Sequence, residues 1–251
     1  MDGHGGTPDD GTGAPGPGHV ALPIEQSLGG IDEPRPGKDL RVHVDYWFDP
    51  ACPFSWMTSR WVIQVAPARD LRVDWRPLSL LLKTDPAPDD EMRDRMERTH
   101  AMLRVVQSLR EAGEADRMGD LYTELGRRVH HQDDDRFDVA PVLEGLGLSA
   151  AHAGALDDTD HDAALRRSVD DALELVGDEV GTPIIGIDGP AGRVGLFGPV
   201  ITQLPDLDRS VALWDGFVAM ASTPGFYETS RTRQETPDTD TIPHEVLRPR
   251  A

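Results

Sequence analysis

The only cysteine of the chain, Cys52, stands where its sulfur could act as a nucleophile. It follows an apolar, strand-like segment and precedes Pro53, which suits the first turn of a helix because proline's missing N–H would be unbonded there anyway. The unpaired N–H groups and the dipole at a helix start stabilise a thiolate. Ser55 lies three residues further on, where its hydroxyl could hydrogen-bond the sulfur. We therefore expect Cys52 and Ser55 to form a reactive thiol site, with an inert buried cysteine as the alternative.

A strand, a helix and a second strand must position this thiol. Residues 41–48 alternate polar and apolar side chains and then become wholly apolar, a pattern that predicts a strand. From Pro53 to Val65 the large apolar residues recur at spacings of three and four, which predicts a buried helix. The apolar segment Leu71–Leu82 predicts the second strand. A strand–helix–strand order of this kind implies parallel pairing and a right-handed crossover.

The rest of the sequence completes an α/β fold. Residues 89–158 and 160–176 show helical patterns, 184–187 and 193–197 read as a hairpin, and 206–222 as a closing helix. A β-α-β half and a β-β-α half with helices between them is the order of a thioredoxin-like fold with a helical insertion, as in DsbA-type proteins. The expected regions are a disordered tail at 1–39, a thioredoxin-like domain at 40–88 and 159–225, a helical insertion at 89–158, and a flexible C-terminal tail at 226–251.

A proline at the start of the predicted third strand is the second candidate for the site. Thr182 and Pro183 introduce the apolar segment 184–187. In thioredoxin-like folds a cis-proline at this place faces the reactive cysteine, and the residue before it offers backbone groups to a bound disulfide. A cis bond before proline costs only about 0.5–1 kcal/mol, so a packed turn can hold it. We expect Thr182 and a cis Pro183 to orient the substrate.

Charge and cysteine content exclude several classes of function. The formal net charge of −20 argues against binding to nucleic acid or to an anionic membrane surface, since both require a cationic face. One cysteine allows neither an intramolecular disulfide nor a multi-cysteine metal site, and the histidines lack metal-ligand spacing. The first residues show no pattern of a secretory signal. We expect a cytoplasmic, reducing location and no metal.

Six separate segments give the sequence a resemblance to a known family. It is similar to the actinobacterial mycothiol-dependent nitroreductases, a branch of the DsbA-type thioredoxin-like proteins, in a single register over roughly residues 42–235. The resemblance implies an oxidoreductase that binds no cofactor and uses mycothiol, or a similar small thiol, as co-substrate. The matching segments are Tyr46–Pro53, Thr58–Trp61, Arg128–Gln132, Val180–Pro183, Phe197–Val200 and Leu213–Asp215.

The active-site motif departs from the family pattern. Well-known members carry Cys-Pro-Trp-Cys, whereas this chain carries Cys52-Pro53-Phe54-Ser55. Without a second cysteine the protein cannot cycle through its own disulfide. The hypothesis is a monothiol mechanism: the Cys52 thiolate attacks a disulfide, forms a mixed disulfide, and is released by a second small thiol. Ser55 would stabilise the thiolate, and a disulfide or electrophilic compound would be the substrate.

Two further residues are candidates for the wall of the substrate cleft. Phe54 lies between Pro53 and Ser55, and we expect its ring to be exposed at the site together with Pro53. His130 lies at the end of a predicted helix, where it could raise the thiolate character of Cys52 or move a proton. It could equally interact only with the dipole of its own helix. The neighbouring His131 is expected to face solvent.

Two other functions remain open on the sequence alone. Kappa-class glutathione transferases and chromene-carboxylate isomerases share the fold and have a similar segment with serine in place of the cysteine. A thioredoxin-like module that binds a partner without turnover is the alternative from another class. A Cys52 pKa near the free value of ~8.5 favours the binding module, and one well below ~7 favours catalysis.

Overall fold

The computed structural model describes residues 42–87, 90, 92–189 and 192–249. The expected tail at 1–39 lies outside these residues. Four strands form one sheet in the order β2-β1-β3-β4: β1 Val42–Phe48, β2 Leu71–Pro77, β3 Ile184–Gly189 and β4 Gly192–Phe197. The α-helices are α1 Pro53–Arg69, α2 Leu80–Thr84, α3 Arg93–Glu111, α4 Met118–His131, α5 Ala140–Gly145, α6 Asp162–Val176 and α7 Leu207–Ala221.

The central strand β1 fixes the topology. It pairs in parallel with β2, Val42 opposite Leu71, and antiparallel with β3, Val44 opposite Ile187. The parallel β-α-β unit and the β3-β4 hairpin are therefore as predicted. Because β1 has neighbours on both sides, its residues from Val44 to Phe48 are all buried. The first residue after this strand thus emerges from the middle of the sheet, a fixed place for a functional loop.

The second strand is shorter than predicted. It ends at Pro77 instead of continuing to Leu82, and Leu80–Thr84 forms the short helix α2. Proline cannot donate a ladder hydrogen bond, and the hydroxyl of Ser79 accepts from the backbone N–H of Leu82 at 3.2 Å as a helix cap. The apolar run alone does not separate strand from helix here.

Helix α1 runs from the cysteine into the core. Trp56 and Trp61 are fully buried, and Trp61 lies 5.6 Å, centroid to centroid, from Trp214 of α7. Tyr122 of α4 stacks on Phe48 of β1, with the two ring centroids 3.9 Å apart. The helices between β2 and β3 therefore share one apolar core with the sheet, which is the predicted thioredoxin-like architecture with a helical insertion.

The C-terminal segment is not a flexible tail over its last part, which corrects the expectation for 226–251. Residues 239–241 and 244–247 form short 3₁₀ turns, and Ile242 and Val246 are buried. The carbonyl of Val246 accepts a hydrogen bond from Arg60 Nη1 at 2.9 Å. Two apolar side chains and a buried guanidinium that needs an acceptor dock this segment on the body. No helix in the described part of the chain is both long and apolar enough to cross a membrane.

Candidate active site

Cys52 is the N-cap of α1, where the sequence places it. Its backbone is extended, with φ −88° and ψ 111°, and Pro53 occupies the first helical turn. The backbone N–H of Ser55 donates to the sulfur at 3.4 Å. The S–H in turn donates to the carbonyl of Thr182 at 3.5 Å. A thiol is a weak donor and a weak acceptor, so the sulfur is held in place by bonds that a substrate can replace.

Ser55 donates its backbone N–H to the sulfur, but its hydroxyl does not bond the sulfur. The residue is fully buried, and its Oγ has no hydrogen-bond partner among the residues that the structure describes. The carbonyl of Ser55 accepts from the phenol of Tyr46 at 2.7 Å. The expected contact between hydroxyl and sulfur is therefore replaced by a backbone contact, which any residue type at this position would offer.

Sequence reasoning missed Asp49, a fully buried carboxylate in the loop that carries Cys52. Its Oδ1 accepts from the N–H of Ala51 at 2.8 Å and its Oδ2 from the N–H of Leu80 at 2.7 Å. These bonds fasten the loop to the start of α2. Burial raises the Asp49 pKa to about 6, although the two N–H donors act in the opposite direction. An Asp directly before a proline at a strand end is a turn signal that could have identified it.

Burial also raises the pKa of the Cys52 thiol above its ordinary value. The side chain of Thr182 and the backbone N–H of Ser55 act in the opposite direction, and the Asp49 carboxylate adds to the rise. This direction is opposite to the one expected for a thiolate stabilised by the helix start. Desolvation outweighs one long N–H contact, so the resting sulfur is protonated and donates to Thr182.

The Thr182–Pro183 bond is cis, as predicted. Both residues are buried, and Thr182 Oγ1 has no hydrogen-bond partner in the described part of the chain. The carbonyl of Pro183 accepts from the N–H of Gly198 at 2.9 Å, and Gly198 precedes a second cis-proline, Pro199. This neighbouring loop, part of the segment Phe197–Val200 that resembles the family, supports the turn that faces Cys52.

His130 lies beside the site but cannot supply charge. Its ring stacks on Trp56 at 5.8 Å and lies beside the backbone carbonyl of Pro50. Burial, and then the charge of Arg95, lower its pKa to about 3, so the imidazole is neutral near pH 7. A neutral His130 neither stabilises a thiolate by charge nor titrates near neutrality. His131 accepts from Trp56 Nε1 at 3.0 Å and is half-buried, which corrects the expectation that it faces solvent.

The outer rim of the site is formed by the residues that follow Cys52. Pro53 is exposed and Phe54 is half-buried. The guanidinium carbon of Arg233 lies 5.2 Å from the centroid of the Phe54 ring. The ring is thus part of the surface, as predicted, but one of its faces meets a cation from the C-terminal segment.

Arg60, two turns along α1, is the second charged group that sequence reasoning missed. It is fully buried, and its guanidinium lies 4.0 Å from the centroid of the Trp56 ring. Nη1 donates to Thr123 Oγ1 at 3.0 Å and to the Val246 carbonyl at 2.9 Å. Arg60 therefore links α1 to α4 and to the C-terminal segment beneath the site.

One group of side chains in the described part of the chain has metal-ligand proximity: His43, Asp45 and Asp74. Arg76 contacts both of its carboxylates, Asp45 at 2.9 Å and Asp74 at 3.2 Å. Arg193 also pairs with Asp45. Because the carboxylate charge is already balanced by guanidinium groups, the cluster is an ion-pair network along the sheet.

Comparison with known proteins agrees with this fold and site. A solved structure described as a probable DsbA oxidoreductase, SCO1869 from Streptomyces coelicolor, superposes with a TM-score of 0.50 at 18% identity, over 79% of this chain and 94% of that one. Together with the cysteine facing a cis-proline, this defines a thioredoxin-like, DsbA-type fold. The family model described as mycothiol-dependent nitroreductase Rv2466c matches residues 51–231, and the chain belongs to this Rv2466c-like family.

A curated relative extends the similarity over most of both sequences. The uncharacterized protein Rv2286c of Mycobacterium tuberculosis is 30% identical over 201 residues, which cover 76% of this chain and 82% of the relative. The family assignment confirms the resemblance stated from the sequence motifs.

Proposed function

We propose that this protein is a monothiol thiol–disulfide oxidoreductase in which Cys52 is the nucleophile and mycothiol, or a similar small thiol, is the co-substrate. The observation that supports this most directly is the position of the sulfur at the start of α1, in contact with the backbone of Thr182 beside the cis Pro183. Membership of a family described as mycothiol-dependent supports the choice of thiol.

The reaction takes place in two exchange steps. The Cys52 thiolate attacks the mycothiol sulfur of a mixed disulfide between mycothiol and a substrate thiol. The Cys52–mycothiol disulfide forms and the substrate leaves as its thiolate. A second mycothiol thiolate then attacks this disulfide, which regenerates Cys52 and releases mycothiol disulfide. The two steps together convert the mixed disulfide and one mycothiol thiol into the free substrate thiol and mycothiol disulfide, so no second protein cysteine is required.

The residues around the sulfur have separate roles in this scheme. The Ser55 N–H, at 3.4 Å, stabilises the thiolate that forms. Thr182 and Pro183 orient the incoming disulfide across from Cys52. Pro53 and Phe54 line the entrance and His130 borders the loop on the opposite side, where its neutral ring offers a hydrogen bond without charge.

The raised Cys52 pKa shapes the pH dependence. A thiol whose folded pKa is raised is protonated at neutral pH, and the reactive thiolate accumulates only as the pH rises. We therefore expect the rate of mixed-disulfide formation to increase with pH across the neutral and mildly alkaline range. A reducing, cytoplasmic location, in which small thiols are kept reduced, suits this chemistry.

Intact mass spectrometry tests the proposal. The reduced protein is incubated with mycothiol disulfide over a pH series, with glutathione disulfide in parallel. We expect one adduct, on Cys52, faster with mycothiol disulfide, increasing with pH and removed by added mycothiol. Cys52→Ser is the control and forms no adduct. Full thiol-transfer activity in Cys52→Ser would falsify the proposal.

The raised thiol pKa also favours a second candidate, a thioredoxin-like module that binds a partner without turnover. In that case the protein forms no adduct at any pH, or forms one that added mycothiol does not remove. The same mass measurement therefore separates the two functions.

A further inference from the structure

The C-terminal segment brings a cation to the rim of the Cys52 site. Arg233 lies beyond residue 231, where the family match ends, and its guanidinium carbon is 5.2 Å from the centroid of the Phe54 ring. Phe54 is two residues from Cys52 and lies in the first turn of α1. A guanidinium near the face of an aromatic ring is attracted to that ring.

The segment that carries Arg233 is fixed on its C-terminal side. The N–H of Asp238 donates to the carbonyl of Thr202 at 2.7 Å, and the N–H of Leu204 donates to Thr241 Oγ1 at 3.1 Å. Beyond these bonds, Ile242 and Val246 are buried in the core. Four residues separate Arg233 from Asp238, the first of these anchors, so the cation is tethered close to the motif.

The charge of Arg233 is available to a ligand. Its side chain is exposed, and its guanidinium forms no ion pair with any residue that the structure describes. Of the carboxylates in the segment, Glu235 accepts from Thr202 at 3.4 Å and Asp238 accepts from the N–H of Asp240 at 3.1 Å, and neither forms an ion pair with Arg233. Because the protein carries a net charge of −20, a local cation at the site has a large effect on which substrates approach.

We infer that Arg233 is a specificity-determining residue that gives the Cys52 site a preference for mixed disulfides whose substrate half carries an anionic group, such as a carboxylate, next to its sulfur. This inference rests on the proposed function. The reaction itself is unchanged: the Cys52 thiolate attacks one sulfur of the disulfide, a mixed disulfide forms, and the other half leaves as a thiolate. Arg233 pairs with the carboxylate of the bound or approaching disulfide and also favours the anionic leaving group.

Two chromogenic disulfides of different charge provide the test. Dithiobis(nitrobenzoate) is a dianion at neutral pH and dithiodipyridine is neutral, and each releases a coloured product for every Cys52 that reacts. The second-order rate constants are measured with the full chain at low and high salt. The variants are Arg233→Gln, Arg233→Lys and the control Arg231→Gln, which removes an exposed charge from the same segment.

We expect the ratio of the anionic to the neutral rate constant to fall about threefold in Arg233→Gln at low salt, the size of a partly screened surface ion pair. Added salt should reduce this difference. Arg233→Lys keeps most of the preference and Arg231→Gln keeps nearly all of it. An unchanged ratio in Arg233→Gln overturns the inference, and so does an equal acceleration with both disulfides, which would make Arg233 only a cover over Phe54.

These outcomes are distinct from failure of the proposed function. If Cys52 reacts with neither disulfide at any pH in the series, the proposed nucleophile is wrong, whatever Arg233 does. If it reacts with both at the same ratio in all variants, the nucleophile stands and only the preference for anionic disulfides is withdrawn.

Discussion

Cys52 and Arg60, two turns apart along α1, are both ionisable, and their surroundings differ in kind. Arg60 is fully buried, yet two acceptors lie at 2.9 and 3.0 Å and an aromatic face at 4.0 Å. Cys52 has only two contacts, at 3.4 and 3.5 Å. A buried charge that is held by short hydrogen bonds and an aromatic face is part of the fold. A partly exposed thiol held by intrinsically weak sulfur hydrogen bonds can change its protonation state and its partner, which is what a nucleophile needs.

The surroundings of the two groups support the same distinction. Arg60 bonds to two elements distant in sequence, through Thr123 and the Val246 carbonyl. Cys52 instead shares its desolvated surroundings with the carboxylate of Asp49, which opposes formation of a thiolate. The surroundings of Arg60 therefore favour its charged state, whereas those of Cys52 favour the protonated thiol.

The largest expected effect comes from removing the satisfied charge. Arg60→Ala leaves the Val246 carbonyl and the Thr123 hydroxyl without their donor and opens space beside Trp56. We expect a loss of about 4 kcal/mol in the free energy of unfolding. Urea denaturation measures it, with Arg69→Ala as the matched control, because Arg69 lies on the same helix in an exposed pair with Asp215. A loss no larger than that of the control would mean that Arg60 is not a structural centre.

Asp49 provides the next test because its charge is poorly tolerated. Its folded pKa is about 6 against an ordinary value of 3.8, so the folded state binds the proton more tightly than the unfolded state. The resulting stability is fully present below pH 3.8 and is lost as the pH rises through 6, a change of about 3 kcal/mol. Asp49→Asn should remove this part of the pH dependence of unfolding.

The same variant reports on the thiol. Without the Asp49 carboxylate, the Cys52 pKa should fall, because one of the influences that raise it is removed. Alkylation of Cys52 by iodoacetamide, measured over a pH series, should then be a few-fold faster at neutral pH. If the rate profile of Asp49→Asn coincides with that of the unmodified protein, the carboxylate does not act on the sulfur.

Val246 tests whether the C-terminal segment belongs to the fold. Its side chain is buried in the core, so Val246→Ala should lower the free energy of unfolding by about 2 kcal/mol. Tyr227 of the same segment is 86% exposed, and Tyr227→Ala should have little effect. Equal, small effects in thermal unfolding of both variants would contradict the docking of the segment.

The sequence predicts features that depend on neighbouring residues and misses those that depend on contacts between residues distant in sequence. Strand β1, the start of α1 at Pro53 and the cis Pro183 depend on local pattern and local chemistry, and all three were predicted. The hydrogen bond between Arg60 and Val246 joins residues 186 positions apart, and no local pattern records it. The raised thiol pKa of Cys52 likewise depends on how much solvent the packed loops exclude. Only a complete tertiary arrangement determines that quantity.

The smallest expected effect comes from Thr182, whose side chain can be compared with Arg60 and with Cys52. Thr182 Oγ1 is buried without a partner among the described residues, whereas the Thr182 carbonyl accepts the Cys52 S–H. Thr182→Val has nearly the same shape and breaks no hydrogen bond, so stability should be unchanged or higher by less than about 1 kcal/mol. The alkylation rate of Cys52 at neutral pH should fall, because the Thr182 side chain is one of the groups that lower the Cys52 pKa. A hydroxyl kept unsatisfied opposite the sulfur is suited to bond a bound disulfide, so we expect KM for the disulfide to rise while kcat is retained. A loss of stability instead would show that the hydroxyl has a partner within the fold, and Thr182 would then resemble Arg60 more than Cys52.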